Sequence, residues 1–422
     1  MPMTSSIAAA ARIWRRGNDP TRRRMTRTLR VAIIGGGIGG LTAAVALRRR
    51  GVEALVFEQA SALGDIGAGI QLGPNAVKTY RALGMEEAIA SIGFESEYQT
   101  IRSWRSGRII SRQRRKDVLR ERFGAPHYTL HRADLLEVLG RAVPPQNLHL
   151  GARCIGIELT ERTAVARFSD GRAVEADLVV GADGIHSVVR TTLFGVEAPR
   201  FTGCVCWRGL VPIELVPKDI VTEDGTAWWG PHGHIVHYLV RRGELVNFVA
   251  HYDSDAWTEE SWTRECDRAE LLETYAKWNP ALLRLIACGE RYFRWALYDR
   301  EPLDRWSRGR ATLLGDSAHA MLPYLAQGAC MAVEDGYVLA EALAHSPDNV
   351  EAALARYEAL RIPRTRRTVL GSRFRAKENH LASPWRRLVR DARIAVHDRL
   401  HPGDTIFRAS WLYDYDVATE AI

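Results

Sequence analysis

The chain has 422 residues, 46% hydrophobic and 26% charged, with a formal net charge of +8. That length sets a prior of about two to four domains around large buried cores, and a near-average composition excludes a disordered or collagen-like polymer. The basicity is local: residues 1–30 hold eight arginines against one acid, Asp19, so the body is nearly neutral and offers no nucleic-acid footprint.

Residues 1–29 read as a basic leader: a disordered tail, a transit-type segment, or a stretch upstream of a start at Met25. No run approaches the 18 apolar residues a membrane span needs, so none is expected. The six cysteines (154, 204, 206, 266, 288 and 330) include no CxxC pair. Buried thiols, a reducing cytoplasm and no metal are the expectation. Cys204 and Cys206 share a face if their segment is a strand.

An apolar run from Leu29 to Ile34 breaks into Gly35-Gly36-Gly37-Ile38-Gly39-Gly40 and then an Ala/Leu-rich helix, Leu41 to Arg49. Gly35, Gly37 and Gly40 have G-x-G-x-x-G spacing: a tight turn, a close backbone approach to a pyrophosphate, and helix packed on strand, with the helix N-terminus facing the anion. A second strand, Glu53 to Phe57, ends at Glu58, where an acid is placed to meet a ribose hydroxyl. Without that context a glycine turn and a surface glutamate would be the plainer reading.

Further along, His131-Arg132-Ala-Asp134 opens a helix and puts a guanidinium within reach of a phosphate or flavin edge. Asp177 to Arg190 is an apolar strand running into Asp183-Gly184, and Gly309 to Pro323 repeats the logic with Gly315-Asp316. Gln327 to Met331 then leads a helix carrying Glu334 and Asp335. Between Thr202 and Arg294 the period becomes two, which argues a half-buried sheet. His234 and Tyr238 project to one face of it and His237 to the other. A sheet histidine satisfied by a backbone carbonyl is the plain alternative, and His237, His251 and His319 keep it. Trp228 and Trp229 flank the pocket or simply pack. After residue 345 the chain turns helical and basic, with helical spacing interrupted at Pro363; salt-bridged covering helices or a homodimer face account for these charges.

Taken in this order, the motifs resemble the single-component, FAD-dependent aromatic hydroxylases over about residues 31–345. They look most like the branch of salicylate hydroxylase, 3-hydroxybenzoate 6-hydroxylase and 6-hydroxynicotinate 3-monooxygenase. Branch-like features are Gly67-Ala-Gly-Ile-Gln71-Leu-Gly-Pro-Asn75, Trp228-Trp229, and the closing Trp411-Leu-Tyr-Asp-Tyr-Asp416. The resemblance implies an α/β fold in which a Rossmann-like FAD domain (30–105, 126–200 and 296–345) is interleaved with a substrate sheet (201–295) and followed by C-terminal helices (346–422). It implies that NADH or NADPH reduces FAD, that O2 adds at the flavin C4a as a hydroperoxide, and that a small phenolic or heteroaromatic acid is hydroxylated.

Residue by residue, it places Gly35, Gly37, Ile38 and Gly40 at the FAD pyrophosphate, Glu58 at the adenosine ribose and Arg132 near the ribityl chain. It gives Asp316 a ribityl hydroxyl, Asp183 a dinucleotide role, and the Gly328, Ala329, Cys330 and Met331 amides the pyrimidine edge, with Gly69 and Pro323 on the cofactor surface. His234 becomes the candidate base, with Tyr238 and Tyr324 completing the catalytic set and Gln71 and Trp229 lining the substrate pocket. Two departures concern substrate choice: Gln71 stands where a relative has histidine and Gly225 where it has cysteine, which disfavours hydroxynicotinate. A third, Ala320 in place of proline, loosens the loop. Open alternatives are a monooxygenase of larger aromatics and a non-catalytic flavoprotein.

Overall fold

The computed structural model describes residues 28–64, 68–221, 224–254, 265–402 and 409–420. Much of the basic leader lies outside them. Arg30–Ile34, the first strand, is exposed only at Arg30. It pairs in parallel with Glu53–Phe57 on one side and Leu178–Gly181 on the other. Continuous apolar runs of this kind suit a parallel sheet covered on both faces. Ala311–Leu313 and Leu148–His149 extend the sheet at its two sides, so both the Asp-Gly and the Gly-Asp motif lie at strand ends beside the glycine turn. Helix Ile38–Arg49 packs against helix Gly328–His345 closely enough that a Cβ on Gly336 would come within 2.8 Å of the Ala43 nitrogen.

A second, eight-stranded sheet runs in the order Glu265–Cys266, Tyr292–Asp299, Arg200–Pro212, Leu245–Asp253, Gly233–Val240, Gly225–Gly230, Tyr98–Ser103, Ile109–Arg114. Alternation gives it two dry faces. Val205, Trp207, Ile235, Phe248 and Ala250 pack with Leu271, Leu282, Leu285 and Ile286 of the helices Arg268–Thr274 and Pro280–Cys288. Cys204, Cys206, Val249, Trp295 and Leu297 turn the other way, towards Leu322 and Tyr324 of the loop that follows the Gly-Asp motif. This apposition builds the site.

Two expectations change. Tyr98–Ser103, assigned by sequence to the 30–105 segment of the FAD domain, pairs in parallel with Gly225–Gly230 and belongs to the larger sheet, as does its antiparallel neighbour Ile109–Arg114. Pro363 does not interrupt its helix, which runs unbroken over Val350–Asn379. Arg361 and Arg364, on either side of the proline, are anchored to buried Glu334 and Asp335, and these tertiary bonds offset the backbone bond that proline cannot make. No helix among the described residues is long and apolar enough to cross a membrane.

Candidate active site

The glycine turn separates its three glycines by role. Gly35 has φ +110°, and a Cβ there would sit 2.2 Å from the Ala182 carbonyl oxygen; at Gly40 it would sit 2.0 Å from the Gly35 oxygen. Both positions are closed by backbone. A Cβ on Gly37 would meet nothing within 4 Å, so this glycine borders open space at the helix N-terminus where Ile38 begins. Glu58 braces the turn, its carboxylate accepting from the N–H of Gly36 (2.7 Å) and of Ala60 (2.8 Å).

Two charged side chains near the turn carry no hydrogen bond to the described protein. Arg132 opens helix Arg132–Arg141 directly after strand Tyr128–His131, and burial lowers its pKa, with Asp316 opposing and Arg208 adding to the shift. Burial raises the Asp316 carboxyl while His319 and Arg132 pull it down. Asp316 has accessible surface yet is closely walled by protein, as expected of a group lining a cleft. Asp183 also has a local structural role. Its carboxylate accepts from the Ser187 hydroxyl (2.5 Å) and the Val188 and Val189 N–H groups (2.8 and 3.2 Å), bracing the start of helix Val188–Phe194. Oδ1, which accepts a single bond, keeps a second accepting position.

Gly328, Ala329 and Cys330, at the head of helix Gly328–His345, have N–H groups without a backbone partner among the described residues; the Met331 amide differs from the expectation in donating to the Gln327 carbonyl. Pro323 opens the short turn that leads to this helix start. A buried ion cluster that sequence reasoning missed fixes the start from behind. Arg361, fully buried, donates to Asp335 and Glu334 at 2.7 Å each, and Arg364 adds bonds to Glu334. Asn75 bridges Gln327 (3.0 Å) and Glu334 (2.6 Å), while Asp335 also holds His319 (2.6 Å) and the Gly315 N–H (3.1 Å). Burial works to raise both carboxyls, but Arg364 and Arg361 at Glu334, and His319 and Arg361 at Asp335, hold them below the usual range.

On the sheet face opposite this loop, His234 is paired in register with His251 on one neighbour and Trp229 on the other. The His234 and His251 rings stack at 4.3 Å, and the Tyr324 ring lies 5.2 Å from His234 and 5.3 Å from His251. Tyr324 donates its hydroxyl to Cys204 Sγ (3.2 Å). Tyr238, on the same face, is pushed up to about 12 by burial, with Arg208 and then the Gln71 side chain pulling it back down. Gly69 approaches through its N–H, which donates to Asn247 Oδ1 at 2.7 Å. The fold thus sets His234, Tyr238 and Trp229 on one face of the sheet, with Tyr324 and Gln71 brought against them from other elements. It does not bring Trp228, whose indole N–H donates to His237 on the opposite face (3.1 Å).

His251 departs from the plain reading most. It is buried, neither ring nitrogen has a hydrogen-bond partner among the described residues, and burial followed by His380 and Arg208 holds its pKa well down. His234 is likewise held well below its ordinary value by burial, then by His251 and His380. Arg208, with its guanidinium 4.6 Å above the Trp295 ring and its Nε without a hydrogen bond among the described residues, and Arg390, 4.8 Å over Trp229, bring positive charge to the same region. Cys204, Asp253 and His380 are the only grouping of metal-ligand type among the described residues, and both His380 nitrogens are already hydrogen-bonded.

The FAD binding domain family matches residues 28–372. A 3-amino-4-hydroxybenzoate 2-monooxygenase of Streptomyces platensis is 40% identical over 93% of this chain and 98% of its own length. A 3-hydroxybenzoate 6-hydroxylase of Polaromonas naphthalenivorans is 38% identical over 92% and 96%. Among solved structures, Klebsiella pneumoniae HpxO complexed with FAD and uric acid superposes with a TM-score of 0.82 at 30% identity, covering 92% of this chain and 96% of that one. This chain therefore belongs to the FAD binding domain family and is one of its flavin-dependent monooxygenases.

Proposed function

We propose that this enzyme hydroxylates a small phenolic acid of the hydroxybenzoate kind, with NAD(P)H and O2, and that His234 removes the phenolic proton. The observation that carries the reading is the apposition of His234 and Tyr324, 5.2 Å apart, between the substrate sheet and the loop after the Gly-Asp motif. The substrate class is supported by the names of the relatives, a 3-amino-4-hydroxybenzoate and a 3-hydroxybenzoate monooxygenase. Six free thiols support a reducing, cytoplasmic setting.

The residues at the turn fit FAD. Gly37 leaves the space its pyrophosphate would fill, with the helix N-terminus directed at the charge. Glu58 would meet the ribose, and Arg132 and Asp316, whose side chains make no hydrogen bond to the described protein, would take the phosphate side and a ribityl hydroxyl. The N–H groups of Gly328, Ala329 and Cys330 would face the ring, where donors at a helix start favour negative charge. Bound there, FAD supplies the electron transfer and oxygen activation that no side chain can.

The chain itself supplies geometry and proton handling. Tyr238, with Gln71 near it, and Tyr324 orient the ring, and Trp229 closes one side. Positive charge from Arg208 attracts the carboxylate locally, since the body has little net field. His234 is neutral and buried, and its Nε2 makes no hydrogen bond to the described protein, leaving it to accept from the phenol. Deprotonation makes the ring electron-rich. A panel of hydroxybenzoates, aminohydroxybenzoates and hydroxypyridine acids, assayed for substrate-stimulated NAD(P)H oxidation with product identification, tests the proposal. Stimulation and an added oxygen are expected with a hydroxybenzoate, and no stimulation across the panel overturns it.

A further inference from the structure

His234 is held by a chain of hydrogen bonds that leaves the pocket. Its Nδ1 lies 2.7 Å from His380 Nε2, and His380 Nδ1 lies 2.6 Å from Asp253 Oδ1. The residues come from three places: strand Gly233–Val240, the end of strand Leu245–Asp253, and the position capping helix Val350–Asn379. Burial falls along the chain, from 3% exposure at His234 and 8% at His380 to a carboxylate side chain 41% exposed at Asp253. We propose that His380 and Asp253 form a proton-exit relay that fixes the tautomer of His234 and carries the substrate's phenolic proton to solvent. The inference rests on the reading of His234 as the base.

The direction follows from donor and acceptor chemistry. An ionised carboxylate only accepts, so His380 carries its hydrogen on Nδ1 and presents Nε2 as an acceptor. His234 must then carry its hydrogen on Nδ1, which leaves the Nε2 lone pair for the phenol. When Nε2 takes that proton, the Nδ1 proton passes to His380 Nε2, the His380 Nδ1 proton passes to Asp253, and Asp253 releases it to water. One proton leaves the substrate and one reaches solvent, with no change in oxidation state. The groups facing the relay explain why the proton moves on. His251 stacks on His234, the Tyr324 ring lies 5.2 Å from His234 and 5.5 Å from His380, and Cys204 and His232 lie beside Asp253. None offers a buried imidazolium a counter-charge; Asp253 does, at the far end.

Asp253→Asn and His380→Asn test the relay by three readouts. Nitrogen-15 NMR of histidine-labelled holoenzyme should place the His234 hydrogen on Nδ1 in the wild type and lose that preference in Asp253→Asn, whether or not a substrate is known. With a hydroxybenzoate bound, the phenol absorbance should show ionisation at a higher pH in both variants. In turnover, kcat should fall about tenfold to a hundredfold near neutral pH with KM little changed, and the deficit should close as pH rises towards the phenol's own ionisation. His232→Asn, beside Asp253 but off the relay, should behave as wild type. The relay is overturned if the His234 tautomer is the other one or is unchanged in Asp253→Asn, or if the deficit is the same at every pH. Failure of every phenol to bind overturns the proposed substrate class instead, while the NMR result still decides the relay.

Discussion

Replacing Arg361 by methionine removes the centre of the buried cluster behind the Gln327–Met331 turn. The guanidinium is fully buried and donates to Asp335 and Glu334 at 2.7 Å, so its loss strands two carboxylates away from water. Removing one partner of a buried ion pair typically costs about 3–5 kcal/mol. Here Arg364 and Asn75 still serve Glu334, while His319 and the Gly315 N–H still serve Asp335, which puts the expected loss at the lower end, about 3 kcal/mol. The effect has a definite pH sign. Both carboxyls are held below their ordinary range in the folded state, so their stabilisation is present above the unfolded value and is lost as pH falls through the folded one. In the variant the carboxyls rise towards or above the unfolded value of about 4, so acid neutralises them more easily and the difference from wild type shrinks on going from pH 7 to pH 4. Denaturant unfolding of apoprotein and holoenzyme across that range, followed by tryptophan and flavin fluorescence, measures it. A loss below about 1 kcal/mol at pH 7, the typical cost of an exposed pair, or a penalty that grows on acidification, refutes the role given to the cluster.

Three further outcomes follow from the site. Gly37→Ala, whose Cβ meets no protein atom, should fold normally and weaken FAD, whereas Gly40→Ala, with a Cβ 2.0 Å from the Gly35 oxygen, should destabilise even the apoprotein; FAD titration and thermal melts separate the two. Arg132→Met should leave apoprotein stability intact, because the side chain has no hydrogen bond to the described protein, yet lose about 1.5–3 kcal/mol of FAD affinity, the usual worth of a charged hydrogen bond, readable by flavin titration. His234→Gln should lower kcat about a hundredfold at neutral pH and recover as the phenol ionises by itself; a pH–rate profile with a constant deficit would show that His234 is not the base.

What the sequence disclosed was local. The turn and Glu58 lie close together in the chain, the Gly-Asp motif is marked by its strand end, and alternation alone put His234 and Tyr238 on one face and His237 on the other. Cys204 and Cys206 likewise share the face opposite Leu322. The rest is long-range. His380 reaches His234 across 146 positions and Asp253 across 127, with no periodic signal linking them. His251 reads as an ordinary sheet histidine until register sets it on His234. Asp183 carries a role its motif does not disclose, since the aspartate that suits a dinucleotide also braces a helix start. Strand Tyr98–Ser103 was misplaced because a parallel partner more than a hundred residues away leaves no mark in its own sequence.

The most direct measurement is turnover of a hydroxybenzoate that stimulates NAD(P)H oxidation, run under 18O2. The expected product carries one 18O atom on the ring, and its yield falls markedly in His234→Gln at neutral pH. NAD(P)H oxidation that yields only hydrogen peroxide with every phenolic acid, or a labelled product formed equally well without His234, would contradict it.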